Sequence, residues 1–200
     1  MIKFLDLYNQ DKKLHKSIIN DIKKLFKNTD FILGKEVTVF ENNFAKYCGS
    51  KFAISCANGT DALTIALKSL NLPKQSEVII PAMTYCSTAF AVINANLKPV
   101  LVDTEYLAPT MNLNDLKKKI TKKTKVILPV HLYGSVTNLN AIKKLIKNKK
   151  IFLVDDCAQA HGAYDDSLGK SNKKIGSTSD ISCFSFYPAK NLGAYGDAGI

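Results

Sequence analysis

The stretch VIIPAMTYCSTAFAVINANLKPVLV, residues 78–102, decides the fold. It begins with the apolar run 78–80, continues with an amphipathic segment at 87–95, and ends with a second apolar run at 100–102. Short apolar runs bounded by turn residues predict buried strands, and the apolar spacing between these two runs is helical. The stretch therefore predicts a strand, a crossover helix and a second strand parallel to the first.

The same alternation continues along the chain. Further apolar runs predict strands at 52–56, 126–130, 151–154 and 181–186, and amphipathic segments predict helices at 61–70, 113–120 and 139–146. Such alternation is typical of an α/β fold with three layers, in which helices cover both faces of a mainly parallel sheet. Ligands of these sheets bind outside the carboxyl ends of the strands, so the residues after each run are the first site candidates.

The N-terminal part of the chain has a helical pattern, because Leu14, Ile18 and Ile22 fall on one face. A chain of 200 residues with 46% hydrophobic content is long enough for one full-sized core. We expect residues 1–50 to form a helical segment that packs on a larger domain formed by residues 51–200.

The net charge of +11 comes from lysine, because the chain has 28 lysines and no arginine. Surfaces that bind nucleic acid or phosphate usually include the bidentate guanidinium of arginine. The lysines at 140–150 follow a helical pattern, and the densest run, 117–123, has no aromatic residues that could stack on bases. A solvated surface is the favoured interpretation, and a basic nucleic-acid-binding protein is the minor alternative.

Cysteine usage and hydropathy predict the compartment. The cysteines are odd in number and widely spaced, and they form no C-x-x-C pair, so we expect neither a disulfide framework nor a metal site; they are Cys48, Cys56, Cys86, Cys157 and Cys183. No apolar stretch reaches the roughly 18 residues of a membrane span, and the N-terminus has no signal-peptide pattern. We expect a cytoplasmic protein without membrane contact.

Several strand ends carry residues suited to a cofactor. Gly59 and Thr60 open the predicted helix after the run 52–56, where free amides can bind an anion, although a plain helix cap explains them at least as well. Asp155 and Asp156 end a buried strand, and because side chains alternate, only one carboxylate can face a given ligand. Tyr85 could stack on a planar ring, although half-buried packing is the ordinary interpretation of a lone tyrosine.

Lys190 follows the run 181–186 and Pro188, which prevents a helix from continuing. A partly desolvated amine at the end of a sheet can have a pKa below its ordinary value of about 10.4 and attack a carbonyl. His131 and His161 have no partner at metal-ligand spacing, so we expect structural hydrogen bonds for both.

A lysine that attacks carbonyls, a phosphate cradle, a carboxylate for a ring nitrogen and a stacking aromatic together describe pyridoxal 5'-phosphate (PLP). The chain resembles the DegT/StrS-type nucleotide-sugar aminotransferases of the fold-type I PLP enzymes. The resemblance rests on five ordered motifs: FILG at 31–34, NGTDAL at 58–63, PVHLYG at 129–134, DCAQAHG at 156–162 and FSFYPAKNLG at 184–193.

The resemblance implies an aspartate-aminotransferase-like large domain and a role for each matching position. Lys190 matches the Schiff-base lysine, and Asp156 matches the partner of the pyridine nitrogen. The remaining matching positions are the phosphate-binding Gly59, Thr60 and Ser185, the ring-stacking Tyr85, and Gln159 near the ring and its oxygen.

The resemblance also implies the reaction, which is amino transfer from an amino acid, usually glutamate, to a keto sugar carried on a nucleotide. Such products serve cell-surface polysaccharide or amino-sugar biosynthesis. A related dehydratase branch has histidine at the lysine position, so Lys190 favours transamination. Without arginine, the donor carboxylate has to meet lysines, backbone amides or residues outside this chain.

Members of the family are longer and continue into a C-terminal small domain. The resemblance implies that this chain carries an incomplete large domain without that small domain, and that the full-length protein is a homodimer. We expect weak or no turnover from these 200 residues alone. The alternative function is a catalytically inactive cofactor-binding or regulatory relative, which would bind PLP without transferring amino groups.

Overall fold

The computed structural model describes residues 2–168 and 173–200. Its helices are α1 (Leu7–Asp11), α2 (His15–Asn28), α3 (Lys35–Cys48), α4 (Gly59–Ser69), α5 (Cys86–Asn94), α6 (Leu113–Lys119) and α7 (Leu139–Ile146). Its strands are β1 (Glu77–Pro81), β2 (Lys98–Val102), β3 (Thr104–Glu105), β4 (Ala108–Met111), β5 (Thr124–Ile127), β6 (Phe152–Asp156), β7 (Tyr164–Asp165), β8 (Lys173–Lys174) and β9 (Ile181–Cys183).

In these described residues, five strands form the main sheet in the order β2-β1-β5-β6-β9. Every neighbouring pair in it is parallel. The stretch that decides the fold is confirmed, because α5 connects β1 to β2 and Ile79 lies opposite Val100. All strands of a parallel sheet end at the same edge, so the segments after β1, β5, β6 and β9 meet there.

Helices cover both faces of the sheet. On one face, α4 and α5 bury Leu63, Leu67 and Val92 against the alternate strand residues of the same cluster. On the other face, Leu116 of α6 and Ile142 of α7 belong to a second buried cluster. The predicted three-layer α/β fold is therefore confirmed.

The prediction of a strand at 52–56 is wrong. Of these residues, Cys56 makes an isolated antiparallel bridge with Gly199, and the Ser55 N–H donates to Glu41 Oε1 at 2.7 Å. A strand exists only where a neighbouring backbone completes its hydrogen bonds, and the described residues provide none along 52–55. The run 181–186 also divides: β9 ends at Cys183, and residues 184–186 pair with residues 198–200.

The N-terminal helices differ in how they meet the sheet. None of the residues of α2 is buried, whereas α3 buries Phe44 and Cys48 in the core. The division of the chain at residue 50 stays a prediction. No helix within 2–168 and 173–200 combines the length and the apolar character that crossing a membrane requires.

Candidate functional site

The start of α4 forms a cradle at the carboxyl edge of the sheet. Asn58 caps the helix, and its Oδ1 accepts the Asp61 N–H at 2.8 Å. Gly59 lies so close to Ser185 that a Cβ at position 59 would be 2.6 Å from the Ser185 Cβ. The chain thus places Gly59, Thr60 and Ser185 together, with free helical amides beside two hydroxyls, which is an arrangement suited to an anion.

A second helix starts beside this cradle. The Thr60 hydroxyl donates to Ser87 Oγ in the first turn of α5, with 2.8 Å between the oxygens. The two helix N-termini therefore lie together, and both favour negative charge.

Asp156 is the carboxylate that faces this edge from β6. Its side chain accepts the Thr88 hydroxyl at 2.8 Å and the Ala158 N–H at 3.1 Å, and the residue is only 6% exposed. Burial raises the pKa of Asp156, while both hydrogen bonds and the charge of Lys190 oppose this rise. A cationic group beside Asp156 would relieve the cost of burying its charge.

Asp155 points to the opposite face of the sheet, as the alternation predicted. Its Oδ2 accepts the Ser179 hydroxyl at 2.6 Å and lies 3.5 Å from His131 Nε2. Asp155 and His131 are both fully buried. The two neighbouring aspartates therefore have separate surroundings, and only Asp156 is available to the edge.

The prediction for His131 is confirmed, because its Nδ1 accepts the Thr137 N–H at 3.3 Å. Within the described residues, a group of possible metal ligands consists of His131, Asp155 and Cys157, whose ligand atoms all lie within 4.8 Å of one another. Burial, followed by the charges of the two aspartates, raises the pKa of Cys157 well above its ordinary value. Metals bind the thiolate, so a protonated Cys157 is a packing residue.

Lys190 lies in a turn at the same edge as Asp156. Its N–H donates to the Tyr187 carbonyl at 2.8 Å, and its side chain is half-buried. The positive charge of Lys190 lowers the pKa of both Asp156 and His161, so the three side chains interact electrostatically.

The prediction of a hydrogen bond for His161 is wrong. In the described part of the chain, neither ring nitrogen has a partner, and the ring centroid lies 5.4 Å from both Phe184 and Phe186. Burial, together with the charge of Lys190, lowers the pKa of His161 to about 4. The Ser185 backbone raises this pKa, but it does not form a hydrogen bond of normal geometry with the ring. The ring is held by aromatic packing, in its neutral form.

Tyr85 and Gln159 complete the predicted set. Tyr85 precedes α5 and is 71% exposed, so the half-buried packing that a lone tyrosine suggests does not occur. Gln159 Oε1 accepts the Tyr133 N–H at 2.8 Å, which ties the loop after β6 to the loop after β5. Tyr133 adopts a left-handed backbone conformation there, with φ of 56°.

A family model described as the DegT/DnrJ/EryC1/StrS aminotransferase family matches residues 12–200. The chain belongs to this family. It is 39% identical over 199 residues to a UDP-2-acetamido-2-deoxy-3-oxo-D-glucuronate aminotransferase of Pseudomonas aeruginosa, covering 100% of this chain and 54% of that protein. It is 36% identical to a dTDP-3-amino-3,4,6-trideoxy-alpha-D-glucose transaminase of Streptomyces venezuelae, covering 99% of this chain and 51% of that protein.

Solved structures give the same assignment. The chain matches S. venezuelae DesV, solved in complex with a ketimine intermediate, with a TM-score of 0.93 and 36% identity over 99% of this chain and 52% of that one. It matches a Bacillus subtilis protein with bound cofactor PMP, with a TM-score of 0.90 and 30% identity over 99% of this chain and 44% of that one. This DegT-family chain spans about half the length of these relatives.

Two residues of α5 contact the predicted site without having been predicted from the sequence. Ser87 meets Thr60, and Thr88 meets Asp156. Thr84, in the loop before α5, and Thr88, in the first turn of the helix, are four residues apart, and their hydroxyl oxygens lie 2.7 Å from each other. That spacing was the signal available in the sequence, but Asp156, the partner of Thr88, lies 68 residues away.

Proposed function

We propose that this DegT-family chain carries the PLP site of an aminotransferase, which moves an amino group from an amino acid, glutamate in the first instance, to a keto sugar on a nucleotide. The observation that carries the proposal is that three parts of the predicted site lie at one edge of the sheet. These parts are Lys190, Asp156 and the cradle of Gly59, Thr60 and Ser185. These groups match the aldehyde, the ring nitrogen and the phosphate of PLP in chemical type.

The structure fits the cofactor in two observable ways. The absence of a Cβ at Gly59 lets the start of α4 approach Ser185 closely, which brings the free backbone amides of the helix beside the Ser185 hydroxyl, where a phosphate can bind. The buried carboxylate of Asp156 accepts two hydrogen bonds, and the charge of Lys190 favours its ionised form. An ionised carboxylate suits a partner that carries a proton on nitrogen. Bound PLP supplies an electron sink for the carbon that loses its proton.

The chain's own residues supply position and proton transfer. Asp156 keeps a ring nitrogen protonated, because an ionised carboxylate in a buried site stabilises a neighbouring cation. Lys190 would hold PLP through its Nζ, and the same Nζ, when free, would carry the proton as general base and acid. Tyr85 lies exposed after β1, where its ring can stack on the cofactor, and the hydrogen bond to Tyr133 fixes Gln159 in the loop after β6.

The keto-sugar acceptor is supported by the relatives, whose names specify UDP-linked, dTDP-linked and GDP-linked sugars. The absence of arginine from the chain agrees with an acceptor that needs no carboxylate clamp. The donor carboxylate then meets lysine, backbone amides or residues beyond this half of the relatives' length. A homodimer, a cytoplasmic location and the lack of a nucleic-acid partner stay predictions.

A regulatory relative without catalysis is the alternative. The chain is 36% identical over 200 residues to a "Pleiotropic regulatory protein" of Geobacillus stearothermophilus, so sequence similarity alone does not separate the two functions. Lys190 and Asp156 favour the enzyme, since binding without transfer needs neither a covalent lysine nor a protonated ring nitrogen.

Titration with PLP tests the proposal. The wild-type chain should develop a visible absorbance band that survives dialysis, and Lys190→Ala should lose that band because no amine remains to form the covalent bond. Lys24→Ala, on the exposed surface of α2, is the control and should behave as wild type. A band that persists in Lys190→Ala would show the assignment to be wrong.

Transfer is tested separately with glutamate and a panel of UDP-, dTDP- and GDP-linked keto sugars. Formation of 2-oxoglutarate with an aminated sugar supports the enzyme. Stable PLP binding without any amino transfer, in a protein of the relatives' full length, would support the regulatory alternative.

A further inference from the structure

Two hydroxyl groups and one carboxylate form a series of hydrogen bonds that leads away from the ring-nitrogen side of the proposed site. Thr88 is fully buried, and its hydroxyl donates to Asp156 Oδ2 at 2.8 Å. Thr84 Oγ1 lies 2.7 Å from Thr88 Oγ1. Both threonines belong to the loop and first turn that connect β1 to α5, whereas Asp156 ends β6.

The direction of these hydrogen bonds follows from counting protons. A threonine hydroxyl has one proton to donate and two lone pairs to accept with. Because Thr88 donates its proton to Asp156, Thr84 has to be the donor in the bond between the two threonines. The chain therefore runs from Thr84 to Thr88 to the carboxylate, and each bond polarises the next.

Other groups also act on Asp156. On its own strand and loop, Ala158 donates its N–H, and Asp155 and Cys157 are the flanking residues. From neighbouring elements, Lys190 contributes a charge that favours the ionised form, His131 lies nearby with its Nδ1 bonded to the Thr137 N–H, and Cys183 of β9 is a buried, protonated thiol. Among these described groups, Thr88 is the side chain that donates a hydrogen bond to the carboxylate directly.

We propose that Thr88, supported by Thr84, is a positioning residue that keeps Asp156 ionised and thereby keeps the proton on the ring nitrogen of the bound cofactor. The inference rests on the proposed function, because it requires PLP to bind with its nitrogen at Asp156. Thr88 acts through Asp156 and touches no substrate. Without its donated proton, the buried carboxylate becomes more basic and takes up the proton that the ring nitrogen would otherwise hold.

The test compares Thr88→Val, Thr88→Ser and Thr84→Val in the PLP-loaded chain. Valine keeps the shape of threonine without the hydroxyl, and serine keeps the hydroxyl. The readouts are the PLP dissociation constant and the nitrogen-15 chemical shift of the ring nitrogen in labelled PLP, which reports protonation directly. Thr178→Val is the matched control, because Thr178 is buried and its hydroxyl has no partner within the described residues.

We expect Thr88→Val to raise the dissociation constant by about tenfold or more, since hydrogen bonds to charged groups are the strong ones. In Thr88→Val, the nitrogen-15 chemical shift of the ring nitrogen should move toward the unprotonated value. At the same pH, both readouts of Thr88→Ser should remain close to those of wild type. Thr84→Val should shift both readouts less and in the same direction, and it decides the question if Thr88→Val does not fold.

An unchanged nitrogen shift in Thr88→Val, or in Thr84→Val if the first variant does not fold, would overturn the inference. A shift of equal size in Thr178→Val would also overturn it, because the effect would then be one of general stability. If the wild-type chain binds no PLP, the proposed function fails and the inference fails with it. Covalent binding with a protonated ring nitrogen in wild type, together with an unchanged nitrogen shift in the variants, contradicts the inference alone.

Discussion

Asp155 and Asp156 are adjacent in sequence and both buried, but they belong to different regions of the molecule. Asp156 faces the edge where α4 and α5 begin, and its partners are a hydroxyl, an amide and the field of Lys190. Asp155 faces the opposite layer, and its partners are Ser179 and the fully buried His131. The pleat of one strand separates a carboxylate that can bind a ligand from one that holds the fold together.

The comparison extends to the glycines of the two regions. Gly59, on the site side, packs so closely on Ser185 that a Cβ there would lie 2.6 Å from the Ser185 Cβ. Gly176, on the core side, has φ of +107°, and its Cβ would lie 2.9 Å from Cys48. The same substitution should therefore damage ligand binding together with stability in the first region, and stability alone in the second.

The largest expected difference is between Asp156→Asn and Asp155→Asn. Loss of the Asp156 charge should raise the PLP dissociation constant about 10- to 100-fold, because the bond between charged groups is lost. Asp155→Asn should leave the dissociation constant near wild type and lower the free energy of unfolding by about 1–3 kcal/mol, because Ser179 and His131 lose the charged acceptor that faces them. Fluorescence titration and urea unfolding measure the two quantities, and equal effects of both variants on PLP would remove the distinction.

A second contrast is between Gly59→Ala and Gly176→Ala. A Cβ at position 59 would collide with Ser185, so Gly59→Ala should weaken PLP binding by about tenfold or more and also lower the free energy of unfolding by about 1–3 kcal/mol. Gly176→Ala should lower the free energy of unfolding by a similar amount, because of its backbone conformation and Cys48, and leave PLP binding unchanged. Gly196→Ala is the control, since nothing lies within 4 Å of a Cβ there and both quantities should stay unchanged. A stability loss at Gly59 with unchanged binding would contradict the cradle.

The smallest effect concerns pH and the neutral ring of His161. Its pKa is lowered to about 4 in the folded state, against about 6.5 for an unperturbed histidine. The unfolded chain therefore binds more protons between these values, and the free energy of unfolding should fall as the pH drops from about 6.5 to 4. His161→Phe should reduce the dependence on pH in this window by about one proton. Thermal unfolding across pH 4–7 measures how the free energy of unfolding depends on pH. If His161→Phe leaves this dependence unchanged, His161 does not have the lowered pKa described above.

The sequence predicted the parts of the fold that depend on local pattern. The alternation around β1, α5 and β2 needs only apolar spacing and turn residues, and its strands and helices were correct to within a few residues. The predicted strand at 52–56 failed because a strand depends on a partner, and of these residues only Cys56 meets one, at Gly199. Spacing within a segment contains no information about which backbone lies beside it.

The candidate site shows the same limit. The residue types at strand ends, such as Lys190 and Asp156, were visible in the sequence because a parallel sheet gathers its strand ends at one edge. The contacts of Thr88 with Asp156 and of Thr60 with Ser87 join segments 68 and 27 residues apart. The packing of His161 between two phenylalanines likewise replaced an expected hydrogen bond, because its neighbours come from the chain beyond β9.

Borohydride reduction of the chain loaded with one equivalent of PLP, followed by peptide mass mapping, tests the central claim most directly. The chain has 28 lysines, and many are more exposed than the half-buried Lys190. We predict that the reduced cofactor is found on Lys190, because the edge that holds Asp156 and the Gly59 cradle directs the aldehyde there. A label spread over surface lysines, or concentrated on a lysine away from that edge, would contradict the account.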